Sequence, residues 1–318
     1  MTPEPVIPFF NGYFRELEEK RWPGVILHGW ESLPETIGSD VDYLVGGVTR
    51  AELLAFLADY CRRKGWQLAQ VMEHEPDALY CVCLMAGPPW AAVKLDVAWD
   101  YRRKGRLLLP GCGLLAGRRV PSGKSFHVPA AAAEFAYVLA KGLAKSKGAG
   151  PVIQRLTTLW QEDAAGCAAA LQRHFGVSAA DPAAGFPAAV VAAILRPDNR
   201  DFDRWRSRRW GFSQLRWLAR RLRRPYGLTV AVGRAVDPAR VGEILLAAFR
   251  RFQVLGADPG FWRRRVIEYR SSLLVGGPPL AGKPGVLDLS GECSVDACVA
   301  AVLAHLRRRL EPGDPGQP

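Results

Sequence analysis

The sequence lacks what several broad classes of protein require. No apolar run reaches the roughly 18–20 residues needed to cross a bilayer; the longest candidate, near 185–195, is too short. The opening residues Met1-Thr2-Pro3-Glu4-Pro5 carry neither the basic stretch nor the apolar run of a secretory leader. A cytoplasmic protein is therefore expected. Seven cysteines (Cys61, Cys81, Cys83, Cys112, Cys167, Cys293, Cys298) are scattered and odd in number. Only Cys81 and Cys83 sit close together, and no second pair completes a zinc pattern. Reduced, mostly buried thiols follow from that scatter. There is no internal repeat and no low-complexity tract beyond alanine runs. Acid is missing from one stretch: between Arg204 and Arg224 there are nine arginines and no carboxylate.

What is present points to a globular chain. Its 318 residues are 49% hydrophobic, enough for two ordinary domains and a sizeable core. The net charge of +12 is consistent with phosphate-rich partners but identifies none.

The apolar spacing predicts a helix over 7–21, a short buried strand at 25–27 and a second strand at 40–45. A helix over 49–64 follows, with Thr49 as cap and Gly65 as stop. Strands at 66–72, 78–85 and 91–98 then complete a mixed sheet. Helical spacing continues over 130–147, 151–161, 163–175 and 186–196, and 177–187 reads as a linker. The basic stretch 204–224 is expected to be a helix ended by Pro225. The remainder returns to α/β: strands at 228–232, near 272–275 and at 286–289, with helices over 237–252 and 294–310.

Chemistry concentrates in Gly38-Ser39-Asp40-Val41-Asp42. Strand side chains alternate, so Asp40 and Asp42 face one way and Val41, Tyr43 and Val45 the other. Two carboxylates one strand repeat apart repel each other at a partly buried edge unless a cation lies between them. Hard divalent ions such as Mg²⁺ take such carboxylates together with substrate phosphates. On a later strand Lys94 and Asp96 share a face, so Asp96 supplies a third carboxylate and a possible base for an attacking hydroxyl.

Those residues carry a resemblance. Leu27-His28-Gly29-Trp30-Glu31, Leu33-Pro34 and Ile37-Gly38-Ser39-Asp40-Val41-Asp42 look like the opening of the polymerase-beta-type nucleotidyltransferase fold. More closely, the chain resembles bacterial nucleotidyltransferase-like proteins joined to a thymidylate-kinase-like P-loop domain, a group associated with surface-polysaccharide gene clusters. Lys94-Leu95-Asp96, Tyr101-Arg102-Arg103-Lys104-Gly105-Arg106, Leu114-Leu115-Ala116-Gly117-Arg118-Arg119 and the helix start from Glu134 to Lys141 continue the likeness, which covers residues 22–175. It implies Mg²⁺- or Mn²⁺-dependent transfer of a nucleotidyl group from a nucleoside triphosphate. Asp40, Asp42 and Asp96 would hold the metal, and Gly29, Gly38 and Ser39 would approach the triphosphate. Lys94 and His28 join that nucleotide-binding set. One departure is Trp30, where the wider superfamily follows its glycine with a small residue; a bulky ring there would narrow the nucleotide pocket.

The resemblance also implies a second half that has decayed. Pro225-Tyr226-Gly227 leads into a strand at 228–232, but Arg234-Ala235-Val236-Asp237-Pro238 stands where a phosphate loop would end in Gly-Lys-Ser/Thr. Without that lysine and hydroxyl, kinase activity is not expected. Gly123-Lys124-Ser125 is a decoy, because Arg118 occupies the position of the first loop glycine.

The expected architecture is thus α/β (α+β): a nucleotidyltransferase-like domain over 1–128, a helical region over 129–224 and a small degenerate P-loop-like part over 225–318. The expected function is nucleotidyl transfer to a hydroxyl or phosphate of a small-molecule or sugar-phosphate acceptor in surface-glycan metabolism. Protein nucleotidylation, or a non-catalytic nucleotide-sensing or scaffolding role, are the alternatives. The 204–224 helix is expected to dock its apolar stripe on the core, with peripheral membrane contact as its second reading and nucleic acid not expected. His74, His127, His174 and His305 show no metal or triad spacing.

Overall fold

Alternation within a few short strands builds the first half of the molecule. The computed structural model describes residues 5–308 except 38–39, 76, 89, 104, 146–148, 179–180, 197–198, 203–204, 206–226, 247–248, 250, 256, 258–259, 261–262, 265–271, 278–279, 282, 284–285 and 293. Strands β1 (Gly24–Ile26), β2 (Val41–Val45), β3 (Trp66–Glu75), β4 (Ala78–Met85) and β5 (Ala92–Ala98) form one mixed sheet in the order β1-β2-β5-β4-β3. Only the β2–β5 pairing is parallel; the other three are antiparallel.

Val41, Tyr43, Val45, Leu79, Cys81, Cys83, Val93, Leu95 and Val97 fill one face of that sheet. Two helices cover it, α1 (Val6–Glu19) and α2 (Arg50–Arg63), through Phe9, Phe10, Tyr13, Phe14, Leu53, Phe56 and Tyr60. The spacing that predicted α1 is its buried stripe. The start of α2 is fixed by a reciprocal cap: Thr49 Oγ1 accepts from the Glu52 amide, and the Glu52 carboxylate accepts from the Thr49 amide at 2.9 Å. The Tyr60 hydroxyl donates to the Phe9 carbonyl at 2.6 Å and ties the two helices together.

The other face is shared. Val25, Leu27 and Leu44, on the β1–β2 side, pack under a helical block. That block consists of α4 (Ala131–Lys145), α5 (Ala149–Glu162), α6 (Ala164–Phe175) and α7 (Ala188–Leu195). It is reached through a small hairpin, β6 (Tyr101–Arg103) and β7 (Arg106–Leu109), and a short helix α3 (Gly111–Leu115). Neither the hairpin nor α3 was expected from sequence. Asp163 caps α6 by accepting from the Gly166 amide, and Gly176 closes it in the left-handed conformation.

Ala69, Val82 and Leu84, on the β4–β3 side, pack under the C-terminal unit. This unit is a four-stranded sheet in the order β11-β8-β10-β9, parallel throughout, built from β8 (Leu228–Val232), β9 (Arg251–Leu255), β10 (Ser272–Gly276) and β11 (Val286–Leu289). Helices α8 (Pro238–Leu245) and α9 (Val295–Arg308) accompany it. Gln67 donates to the Leu303 carbonyl and Trp90 Nε1 to Asp296, joining α9 to the first sheet. One expectation needs correction: the helix over 237–252 ends at Leu245, and residues 251–255 form β9. The protein is a mixed α/β (α+β) chain, and no described helix is long and apolar enough to cross a membrane. Of the basic stretch 204–224, only Trp205 lies within the described residues, buried and stacked on Phe175.

Candidate metal centre

Between the two covering blocks, the central strand β5 turns its even-numbered residues to the same side as Asp42. In the parallel pairing, Val41 lies opposite Leu95, Asp42 opposite Asp96 and Tyr43 opposite Val97. Adjacent strands run about 4.8 Å apart, so two carboxylates in register are forced into proximity. Asp40, just before β2, adds a third from an exposed position. One oxygen from each of Asp40, Asp42 and Asp96 lies within 4.8 Å of the others. The structure therefore brings together the three carboxylates expected from sequence. Such a donor set of hard oxygens suits Mg²⁺ or Mn²⁺.

Asp42 is also held by two bases that the strand pattern does not contain. His28 Nε2 lies 2.5 Å from Asp42 Oδ2, and the Lys141 ammonium donates to the same oxygen at 2.8 Å. Lys141 touches His28 as well. Burial pushes the Asp42 carboxyl up, but the His28 contact and the Lys141 charge outweigh it and hold the group below the usual carboxylate range.

Aromatic rings line the surroundings. Tyr80 on β4 pairs with Asp96 across the strand, and its phenol is pushed up by burial and then by Asp40, Asp96 and Asp42. His28 stacks on Tyr137 at 5.9 Å, and Tyr137 meets Tyr101 edge-on at 4.8 Å. Burial first, and then the charge of Asp42, raises Tyr137. Sequence reasoning missed Lys141, Tyr80, Tyr101 and Tyr137. Tyr80 was within reach of the alternation rule, because Leu79, Cys81 and Cys83 fix the opposite face of β4.

The remaining expected site residues divide. Gly29 follows β1 with φ of +66°, a backbone only glycine adopts cheaply. Lys94 is half-buried on the Asp96 face of β5. Gly38 and Ser39 lie outside the described residues. Trp30 takes part in a polar wall: its Nε1 donates to Glu134 at 3.3 Å, and Arg155 and Arg119 lie over its ring at 5.3 and 5.6 Å. Glu134 is fully buried, accepts from Arg155 at 2.5 Å and is raised by burial against the pull of that guanidinium. Among the described residues, cavities also lie elsewhere. One of about 280 Å³ is lined by Thr49, Arg50, Glu73, Asp77 and Trp99. Another, about 40 Å³, lies between Trp90 and α9.

The corner after β8 is arranged differently. A Cβ on Gly233 would stand 2.8 Å from the Ser290 carbonyl oxygen and 3.0 Å from that of Glu292, so backbone after β11 closes over the strand end. Asp237 caps α8 by accepting from the Ala239 amide at 2.9 Å, and Pro238 takes the first helical position. The carboxylate thus accepts at the helix N-terminus, the end at which a helix favours negative charge. Lys124 donates to the Leu33 carbonyl and pairs with Glu35 at 3.0 Å, within an ordinary turn.

No protein-family model matches the chain, and no curated protein matches it.

Proposed function

We propose that the chain is a metal-dependent nucleotidyltransferase, moving a nucleotidyl group from a nucleoside triphosphate to a hydroxyl or phosphate oxygen. The acceptor we infer is a small molecule or sugar phosphate of surface-glycan metabolism, in a cytoplasmic setting. The observation that carries the reading is the convergence of Asp40, Asp42 and Asp96 from two strands in register. A protein that gained nothing from a cation would gain nothing from keeping three like charges together.

Asp40, Asp42 and Asp96 would hold Mg²⁺ or Mn²⁺, which when bound neutralises phosphoryl charge and lowers the pKa of a coordinated hydroxyl. Where the acceptor is a hydroxyl, Asp96 would accept its proton as the oxygen bonds to the α-phosphorus; an ionised phosphate oxygen would attack without that transfer. The bond from that phosphorus to the β-phosphate oxygen breaks, and pyrophosphate leaves with the electron pair. By the resemblance Gly29, Gly38 and Ser39 would approach the triphosphate, and Lys94 and His28 join them as nucleotide-binding candidates. The wall of Trp30, Glu134 and Arg155 fixes the turn that carries His28 and Gly29.

A second reading is favoured by one specific observation: Asp42 already has Lys141 and His28 as partners, as in a protein that binds nucleotide without turning it over. The C-terminal unit is assigned to packing in either case, because Asp237 blocks its phosphate corner.

Pyrophosphate release from each of the four NTPs with Mg²⁺ or Mn²⁺, alongside nucleotide binding, separates these readings. Release abolished by Asp40→Ala/Asp42→Ala supports transfer. Binding without release, even with sugar-phosphate and protein acceptors added, supports sensing. Absence of both binding and release removes the enzyme reading.

A further inference from the structure

Helix α4 presents Glu134, Tyr137 and Lys141 along one stripe, at the i, i+3, i+7 spacing of a single helix face. Each has a counterpart in the chain that enters the candidate centre. Glu134 accepts from Trp30, Tyr137 stacks on His28, and Lys141 reaches Asp42. The Lys141 side chain is only 13% exposed, and its ammonium lies 5.4 Å from the Tyr137 ring centroid, so its stem is held along an aromatic surface. The ammonium ends on Oδ2 of Asp42, a residue whose carboxylate is one of the three converging groups.

A divalent ion bound through Asp42 would sit about 2.1 Å from a carboxylate oxygen. An ammonium 2.8 Å from the same carboxylate would then be a neighbouring like charge in a partly desolvated place. The two cations compete. We infer that Lys141 is a built-in counter-ion that holds Asp42 until a divalent ion arrives, and that the displaced ammonium then pairs with the phosphate chain of the nucleotide. This rests on the metal-centre reading of Asp40, Asp42 and Asp96. Its consequence is an order of events. A divalent ion alone must evict an ammonium that then loses its carboxylate partner. When a triphosphate is present, the ammonium gains a new anionic partner. Metal and nucleotide therefore bind with positive coupling, and Lys141 is the residue through which they couple.

The test uses the full chain and Mn²⁺ as the probe, following the free-ion electron-spin-resonance signal at one fixed pH. Lys141→Met is expected to bind Mn²⁺ in the absence of nucleotide about tenfold more tightly than wild type, because the competing charge is gone. The same variant should bind ATP about tenfold more weakly at saturating Mn²⁺. A merely structural lysine would weaken both or neither. Lys141→Arg, which keeps the charge, should return the wild-type Mn²⁺ affinity, and Lys64→Met on the exposed end of α2 should change neither value. Mn²⁺ affinity that is unchanged or lowered in Lys141→Met, while Asp42→Asn still removes Mn²⁺ binding, overturns the counter-ion role and leaves the metal centre standing. Mn²⁺ binding that survives Asp42→Asn, or no Mn²⁺ binding in any of these proteins with or without ATP, overturns the metal centre and the counter-ion together.

Discussion

Two corners of this molecule share a local plan and end in opposite chemistry. After β1 and after β8, an apolar strand runs into a glycine, Gly29 and Gly233, with an aspartate near it in space or in sequence. At the first corner the carboxylates of Asp40 and Asp42 meet Asp96 from the neighbouring strand, with Lys141 and His28 against Asp42. At the second, Asp237 folds back on the Ala239 amide of its own helix, and the backbone of residues 290–292 covers the strand end. A charge that completes a local hydrogen bond is spent on folding. One that strand pairing sets against other charges is met instead by side chains from distant parts of the chain, as Asp42 is by Lys141 and His28. The difference lies in which backbone each carboxylate faces, because the residue type is the same.

The comparison can be broken most decisively at the centre itself. Asp96→Asn is expected to lower pyrophosphate release by about 10²–10⁴-fold, the range for loss of a positioned base, whereas Asp237→Asn should leave it unchanged. Equal losses in a steady-state assay would erase the distinction between the corners. Next in size is the wall behind the first corner. Glu134→Ala strips a fully buried carboxylate from Arg155 and Trp30 and should cost about 3–5 kcal/mol of stability, read from urea unfolding. A cost well below 1 kcal/mol would mean that the wall is not what fixes the turn at Trp30.

The second corner should respond more weakly. Asp237→Ala removes a helix cap and is expected to cost about 1 kcal/mol in thermal or urea unfolding, with nucleotide binding unaltered. The smallest effect concerns the layer beneath the first corner. Glu16 on α1 accepts from Arg63 of α2 at 2.6 Å, and that hydrogen bond, against a smaller opposing effect of burial, holds its carboxyl below the ordinary value. A lowered folded-state pKa means that the unfolded chain binds the proton first. The contribution is therefore full above about pH 4.3, the unfolded value, and is lost as pH falls through the folded one. Wild type should exceed Glu16→Gln by at most about 1 kcal/mol near neutrality, and the gap should close in acid. A gap that widens in acid would reverse the assigned sign.

Much of the first sheet could be read from the sequence because its signals are local. Val41, Tyr43 and Val45 alternate with Asp42 and Leu44, and Thr49 with Glu52 marks the start of α2 within four residues. The acidic trio followed from the same alternation, applied to two strands. What escaped was set at long range. Lys141 lies 99 residues beyond Asp42, and nothing in an alanine-rich amphipathic helix says which polar residue will meet a strand end. The apolar spacing over 237–252 predicts a helix that runs on into the first two residues of β9. The chain instead leaves α8 at Leu245 and pairs residues 251–255 in parallel with β10, a partner some 20 residues further on. The hairpin of β6 and β7 was missed because its strands, Tyr101–Arg103 and Arg106–Leu109, are too short for an alternation to show.

The register between β2 and β5 behaves like a parity code. Odd-numbered residues, 41, 43 and 45 in one strand and 93, 95 and 97 in the other, lie in the core; the even-numbered 42, 94 and 96 lie on the opposite side. Slipping either strand by one position would drive an aspartate into the layer of Tyr43 and Leu95 and lift a core residue out of it. The greasy side of the sheet thus checks the spelling of the polar side. Substitutions along these strands can be tolerated one at a time, but a single inserted or deleted residue inside either would corrupt every letter after it.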